Sequence, residues 1–232
     1  MLRLGRSRSG MPDRGSWSCR SPTPTLLGGS LISMSGNDHA ILELAAANVV
    51  VVPEHVLQLL TVDAAEAERL LDGLVDGGLL VRHRVSQGGP ACYCVTQAGL
   101  DAVASGLPAP TFELARVRRE IGVTWVWMGA RGGAFGPVER VMSCRELVAA
   151  GELADADVVL VRSDGWLPLH LVLSLPERSW LERVLRRYGS DPRFAGWMFL
   201  AEDLEPAREF IGGVAEELGL SELTRVQGAR FT

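Results

Sequence analysis

The sequence predicts an α+β/α/β chain in two parts: a helical segment closed by a two-stranded ribbon, then a mixed sheet covered by helices. Three observations predict it. Asp63 to Thr96 reads as an amphipathic helix, a strand, a turn and a second strand. Beyond residue 111, short β-branched runs alternate with amphipathic helical stretches, the pattern of a sheet with helical covers. Between the two, Gly106-Leu-Pro-Ala-Pro110 breaks the composition, because prolines stop helices. The 232 residues are 47% hydrophobic, enough to bury a sizeable core.

Residues 1–36 do not read as a domain. They are rich in Arg, Ser, Gly and Pro, with five arginines and one aspartate, a composition that favours disorder. An organelle transit peptide is also acid-poor, but no amphipathic stretch supports one here. A basic nucleic-acid-binding arm, or a start codon placed upstream of Met34, are the other readings.

Asp38–Ala47 is the first helix, with Ile41, Leu42, Leu44 and Ala45 facing inward. Val49–Val52 is β-branched and predicts a small strand. Pro53 opens the second helix, since the first helical position needs no N–H. Asp63 caps the third helix, whose Ala64, Ala67, Leu70, Leu71, Leu74 and Val75 keep helical spacing. Gly77 and Gly78 end it. Leu79–Arg84, the turn Gln87-Gly88-Gly89-Pro90 and Ala91–Thr96 form a ribbon, and Gln97–Ser105 adds a helix. This order, over residues 37–106, is that of a winged helix-turn-helix. The spacing of Leu71, Leu74, Gly78, Leu79 and Leu80, and the run Tyr93-Cys94-Val95-Thr96-Gln97-Ala98-Gly99, look like those of many bacterial winged-helix domains.

The second part, 111–232, begins with Phe112–Met128. Glu113 and Arg116–Glu120 suggest a helix. Ile121–Met128 is apolar enough to suit a strand or a buried helix, and periodicity alone leaves both open. After an Arg131–Pro137 loop come a strand (Val138–Met142), a short helix (Ser143–Ala150), two strands (Asp157–Arg162 and Leu167–Leu175), a helix (Glu177–Tyr188), a strand (Phe194–Leu200), a helix (Glu205–Leu218) and a strand (Thr224–Phe231). Trp125, Trp127, Trp180 and Trp197 read as core.

Net charge is −5, so the molecule as a whole is no electrostatic attractant for nucleic acid. All 23 basic residues are arginine, which excludes lysine as base, Schiff-base former or phosphate ligand. Cys19, Cys92, Cys94 and Cys144 have no paired metal-ligand spacing and read as free cytosolic thiols. No apolar run approaches the ~18 residues that span a bilayer; no membrane partner and a cytoplasmic location are expected. Gly129–Gly136 lacks the lysine and spacing of a phosphate-binding loop. His39, His55, His83 and His170 are scattered, and no cofactor is expected.

Three further segments carry a family resemblance. Val138-Glu-Arg-Val-Met-Ser-Cys-Arg-Glu-Leu147 is similar to a strand followed by Ser-x-Arg-Glu-Leu. Asp155-Ala-Asp-Val-Val-Leu160 looks like a Pro-Asp-x-Val-Leu strand. His170–Tyr188 is similar to a Val-Glu-Val-Glu-Leu-Ser-x-Lys strand leading to an arginine-rich helix. With the winged helix in front, these resemble the replication-relaxation family of actinobacterial plasmids and integrative elements, from Gly36 to the end. The resemblance implies a mixed-sheet restriction-endonuclease-like domain. Such sheets place an aspartate at one strand end and Glu-x-Lys on the next, so that carboxylates hold a divalent metal and the lysine positions water.

This chain departs from that pattern. Asp157, or Asp155, keeps the first carboxylate; His170 and Val172 stand at the glutamate positions and Pro176 at the lysine. The nuclease-like half is therefore expected to be catalytically dead, without a metal. Glu177 is the nearest rescue, though an acidic residue there suits a helix start. Asp155, Asp157 and His170 could also make a small metal site across adjacent strands.

The expected function is that of a non-catalytic DNA-binding accessory protein of a mobile element, in plasmid replication or transfer. The expected partners are double-stranded DNA and a replication or transfer protein, with a homodimer through the Gln97–Ser105 helix. DNA contact would come from Arg69 on the third helix and from Arg82, His83 and Arg84 on the ribbon. A second patch would be Arg178, Arg186 and Arg187, with Arg183 and Arg193 beside them; Glu182 can pair with Arg178 or Arg186, leaving a solvated face as its alternative. Charge argues back: Asn37–Pro108 carries nine acids against three arginines, and phosphate contacts supply much of DNA affinity. The rivals are a protein-interaction or dimerisation module, and a metal-dependent nuclease with an atypical site.

Overall fold

In the computed structural model, three helices and an antiparallel ribbon pack through one long helix onto a five-stranded sheet. Residues 34–85, 91–152 and 155–229 are described. The expectations for residues 1–33, for the turn 87–90 and for Phe231 lie outside them.

Helix α1 (Gly36–Ala47) starts at Ser35, whose hydroxyl accepts from the Asp38 N–H while Asp38 accepts from the Ser35 N–H. Ile41, Leu42, Leu44 and Ala45 are buried, as their spacing predicts. The Val49–Val52 strand does not form as such. Only Val51 pairs, with Tyr93; Val50 and Val52 on either side pack against Cys92, Cys94 and Val117. Helix α2 (Pro53–Leu60) is capped by a buried imidazole, His55 Nδ1 accepting from the Val52 N–H at 3.2 Å. Helix α3 (Ala64–Asp76) is capped by Asp63, which accepts from the Glu66 N–H at 2.9 Å.

Strands β1 (Leu80–Arg84) and β2 (Ala91–Val95) pair antiparallel, Leu80 opposite Val95. Thr96 caps helix α4 (Gln97–Ala102), shorter than the predicted Gln97–Ser105. Gly99 is required there: a Cβ would stand 2.3 Å from the Leu79 carbonyl oxygen.

The ambiguous segment is helical. A single 3₁₀ turn (Leu114–Arg116) leads into α5 (Val117–Arg131), which buries Val117, Val123, Thr124, Val126, Trp127 and Ala130. It lies between the N-terminal helices with their ribbon and the sheet, so no polar stripe marks its period. The sheet runs in the order β3 (Arg140–Ser143), β4 (Val158–Arg162), β5 (Gly165–Val172), β6 (Trp197–Ala201), β7 (Thr224–Gly228). The first three are antiparallel and the last three parallel. Helix α6 (Cys144–Ala149) follows β3, capped by Ser143. Helices α7 (Arg178–Gly189) and α8 (Leu204–Glu217) cross over between the parallel strands.

The main core is continuous from Ile41, Leu71 and Tyr93 through Val123 and Trp127 to Leu160, Leu169 and Met198. A second core on the other sheet face joins Val172, Trp197 and Phe199 to Leu181, Leu185 and Ile211. No helix among the described residues is long and apolar enough to cross a membrane.

Candidate nucleic-acid interface and the sealed acid position

The ribbon divides its charges by alternation. Arg82 and Arg84 are exposed on one side of β1. Arg82 Nη1 reaches Asp72 of α3 at 3.2 Å, and its guanidinium sits 5.7 Å from the Tyr93 ring centroid. His83 belongs elsewhere. Its ring stacks on Phe112, centroids 3.9 Å apart and planes 3° from parallel. The structure therefore separates His83 from the two arginines with which sequence proximity grouped it.

Arg69 is occupied by its own helix. Its Nε and Nη2 donate to the two Glu66 oxygens at 2.7 and 2.6 Å. That pairing neutralises the only cation of α3 and leaves Glu68, Asp72 and Asp76 exposed along it.

Two of the four arginines of α7 are engaged, as is Arg193 beyond it. Arg178 donates to Glu182 at 2.8 Å and also to Glu217. Arg187 reaches Asp155 at 2.9 Å, and Arg193 reaches Asp191 and Glu152. Arg186 and Arg183 are exposed, with no carboxylate at ion-pair distance among the described residues. Glu177 stands at the N-cap of α7 without capping it through its side chain.

Asp157 immediately precedes β4 and is almost fully buried. Both its oxygens accept from Arg119 Nη2 at 2.8 Å, and Oδ2 accepts from the Leu171 N–H at 2.7 Å. Arg119 Nη1 donates to the Leu171 carbonyl at 2.9 Å. Burial pushes the Asp157 carboxyl up, and the Arg119 guanidinium pulls against it. A helix-borne cation thus fills the place beside the acid.

The partners expected for Asp157 lie elsewhere. Val172 is packed in the core under α7 and α8. His170 is buried in an aromatic box, 5.1 Å from Phe199, 5.6 Å from Tyr188 and 5.7 Å from Trp180. Burial, with repulsion from Arg119 behind it, pushes His170 down to about 3, so it is neutral. Asp155 is held by Arg187. The small metal site read from Asp155, Asp157 and His170 does not assemble: each group has turned to a different neighbour. Among the described residues no three His, Cys, Asp or Glu side chains converge as metal ligands.

Sequence reasoning missed the residues that line the seam between the two parts. Arg119 was visible only as a helix-forming residue. Burial holds the Glu120 carboxyl above its usual range, with Arg116 at 3.4 Å pulling against it. Arg145 of α6 donates to the carbonyls of Ala45, Ala46 and Asn48 at the end of α1, and to that of Pro108. A cation at a helix C-terminus meets carbonyls without helical partners and the negative end of the dipole. Cys92 and Cys94 lie on one face of β2, packed with Val50, Val52 and Val117; burial pushes Cys94 up to about 12.

No family model matches this chain, and no curated protein matches it. Solved structures overlap it in part. Lactococcus lactis ZitR (C30S mutant) is 13% identical at TM-score 0.29, over 47% of this chain and 69% of that one. An O-methyltransferase family 2 protein from Planctomyces limnophilus, in complex with apigenin, is 16% identical at TM-score 0.23, over 84% of this chain and 60% of its own. PigF with SAH is 15% identical at TM-score 0.22, over 84% and 57%.

Proposed function

We propose that the chain is a non-catalytic DNA-binding accessory protein, a winged helix joined to a nuclease-like sheet, of the replication-relaxation kind. The observation that carries the DNA reading is the ribbon: three helices close on an antiparallel pair whose first strand carries Arg82 and Arg84 to solvent. In this reading the ribbon, not α3, meets phosphate: Arg69 is held by both Glu66 oxygens, Arg82 by a single 3.2 Å contact to Asp72, and Arg84 by no carboxylate among the described residues. Support for the non-catalytic half is Arg119, seated on both Asp157 oxygens where a divalent ion would need them. The setting implied is a mobile element's replication or transfer complex.

A gel shift on duplex DNA, titrated with salt, tests it. The double variant Arg82→Ala/Arg84→Ala should weaken binding across sequences and reduce the salt slope by about 2. An unchanged slope removes the ribbon as the contact. A second reading is favoured by the acidic surface of α3: the winged helix docks a protein. Absence of any shift at low salt, even at high protein, would favour that instead. Nicking of supercoiled plasmid in magnesium or manganese, lost in Asp157→Ala, would reverse the non-catalytic reading.

A further inference from the structure

We propose that the groove between the winged-helix segment and the C-terminal end of α5 is a binding site for a small planar aromatic acid. Its volume is about 700 Å³, and it opens to solvent between α1, α2 and the loop after α5. Ligand sites of this size are mostly apolar with a few placed polar groups, and they favour junctions between structural units. Leu44, Leu59, Trp125 and Met128 supply the apolar lining, and Gln58 and Arg131 the polar groups.

The charge of the ligand follows from Arg131. Its guanidinium lies 4.8 Å from the Trp127 ring centroid, a stacking that holds it in place. Among the described residues no carboxylate pairs with it, so its donors are available to a carboxylate arriving from solution. Glu43, also in the lining, lies 3.4 Å from the His39 imidazole, which offsets its charge only when protonated. The flat shape follows from Trp125 and Met128, since an aromatic face packs well on an indole and a thioether. The site stands independently of the DNA reading, because none of its lining residues belongs to the ribbon.

Calorimetry on the full chain with 2-naphthoate and its uncharged counterpart 2-naphthamide tests the proposal. Naphthoate should bind once per chain, about fivefold tighter than the amide, the gain of one exposed ion pair. Arg131→Gln should bring the acid down to the amide's affinity and leave the amide unchanged. Ala134→Trp, which crowds the mouth from an exposed position, should abolish both. The proposal is overturned if naphthoate shows no heat at millimolar concentration, or if its binding ignores either substitution.

Discussion

The arginines of α7 and those of the seam make opposite use of the same side chain. On α7, Arg178 and Arg187 reach carboxylates across solvent-exposed surface, and Arg178 is half exposed. At the seam, Arg119 and Arg145 come from different elements and satisfy buried groups far away in sequence: Asp157 and the Leu171 carbonyl, and the end of α1. An exposed pair exchanges one hydrated arrangement for another and contributes little. A buried partner left alone keeps its full desolvation penalty. The α7 cluster, conspicuous in the sequence, is thus the less consequential of the two.

The strongest way to break this contrast is Arg119→Met. It strands the Asp157 carboxylate and should cost about 3 kcal/mol in urea unfolding. Adding Asp157→Asn, which keeps an acceptor for the Leu171 N–H, should recover at least half. Failure to recover would mean that Arg119 acts by packing rather than charge. Arg145→Ala comes next, at about 2 kcal/mol, since it frees the carbonyls at the end of α1; an unchanged urea midpoint would refute that cap.

Acid sharpens the comparison within α7 itself, whose inner side covers His170. His170 and His55 are held down to about 3 by burial, against an ordinary 6.5. Each is neutral in the fold and takes up a proton on unfolding below 6.5. Their contribution is complete above pH 6.5 and is lost as pH falls towards 3, at up to about 1.4 kcal/mol per pH unit for each. His170→Phe should flatten the decline of stability between pH 6 and pH 4; an equally steep decline would show that other groups set it. On the outer side, Arg178→Ala should leave the urea midpoint within error, and a clear loss there would erase the distinction.

What the sequence made legible was local. Asp63 as the cap of the third helix and Arg178 paired with Glu182 both act over three or four residues, and both form. The ribbon was legible because two short runs, Leu79–Arg84 and Ala91–Thr96, flank a glycine- and proline-bearing turn sequence. Gly99 was visible only as part of a resemblance, and its reason, the nearness of the Leu79 carbonyl, is spatial. Helix α5 was ambiguous because burial on both sides removed the polar stripe that would have declared its period. Arg119 was illegible as a site residue because its partner stands 38 positions along the chain. The same holds for His83, which reads as a ribbon charge until Phe112 is seen beneath it.

The short run after α1 has a mechanical consequence. Val51 exchanges two backbone hydrogen bonds with Tyr93, at 2.9 and 2.8 Å, and the neighbouring Val50 carbonyl accepts from the Thr124 hydroxyl at 2.7 Å. The ribbon is thereby bolted, through one residue on either side of a peptide, to the helix that lies on the sheet. It is no free antenna. A torque applied to β2 passes through these bonds to α5 and so to the sheet.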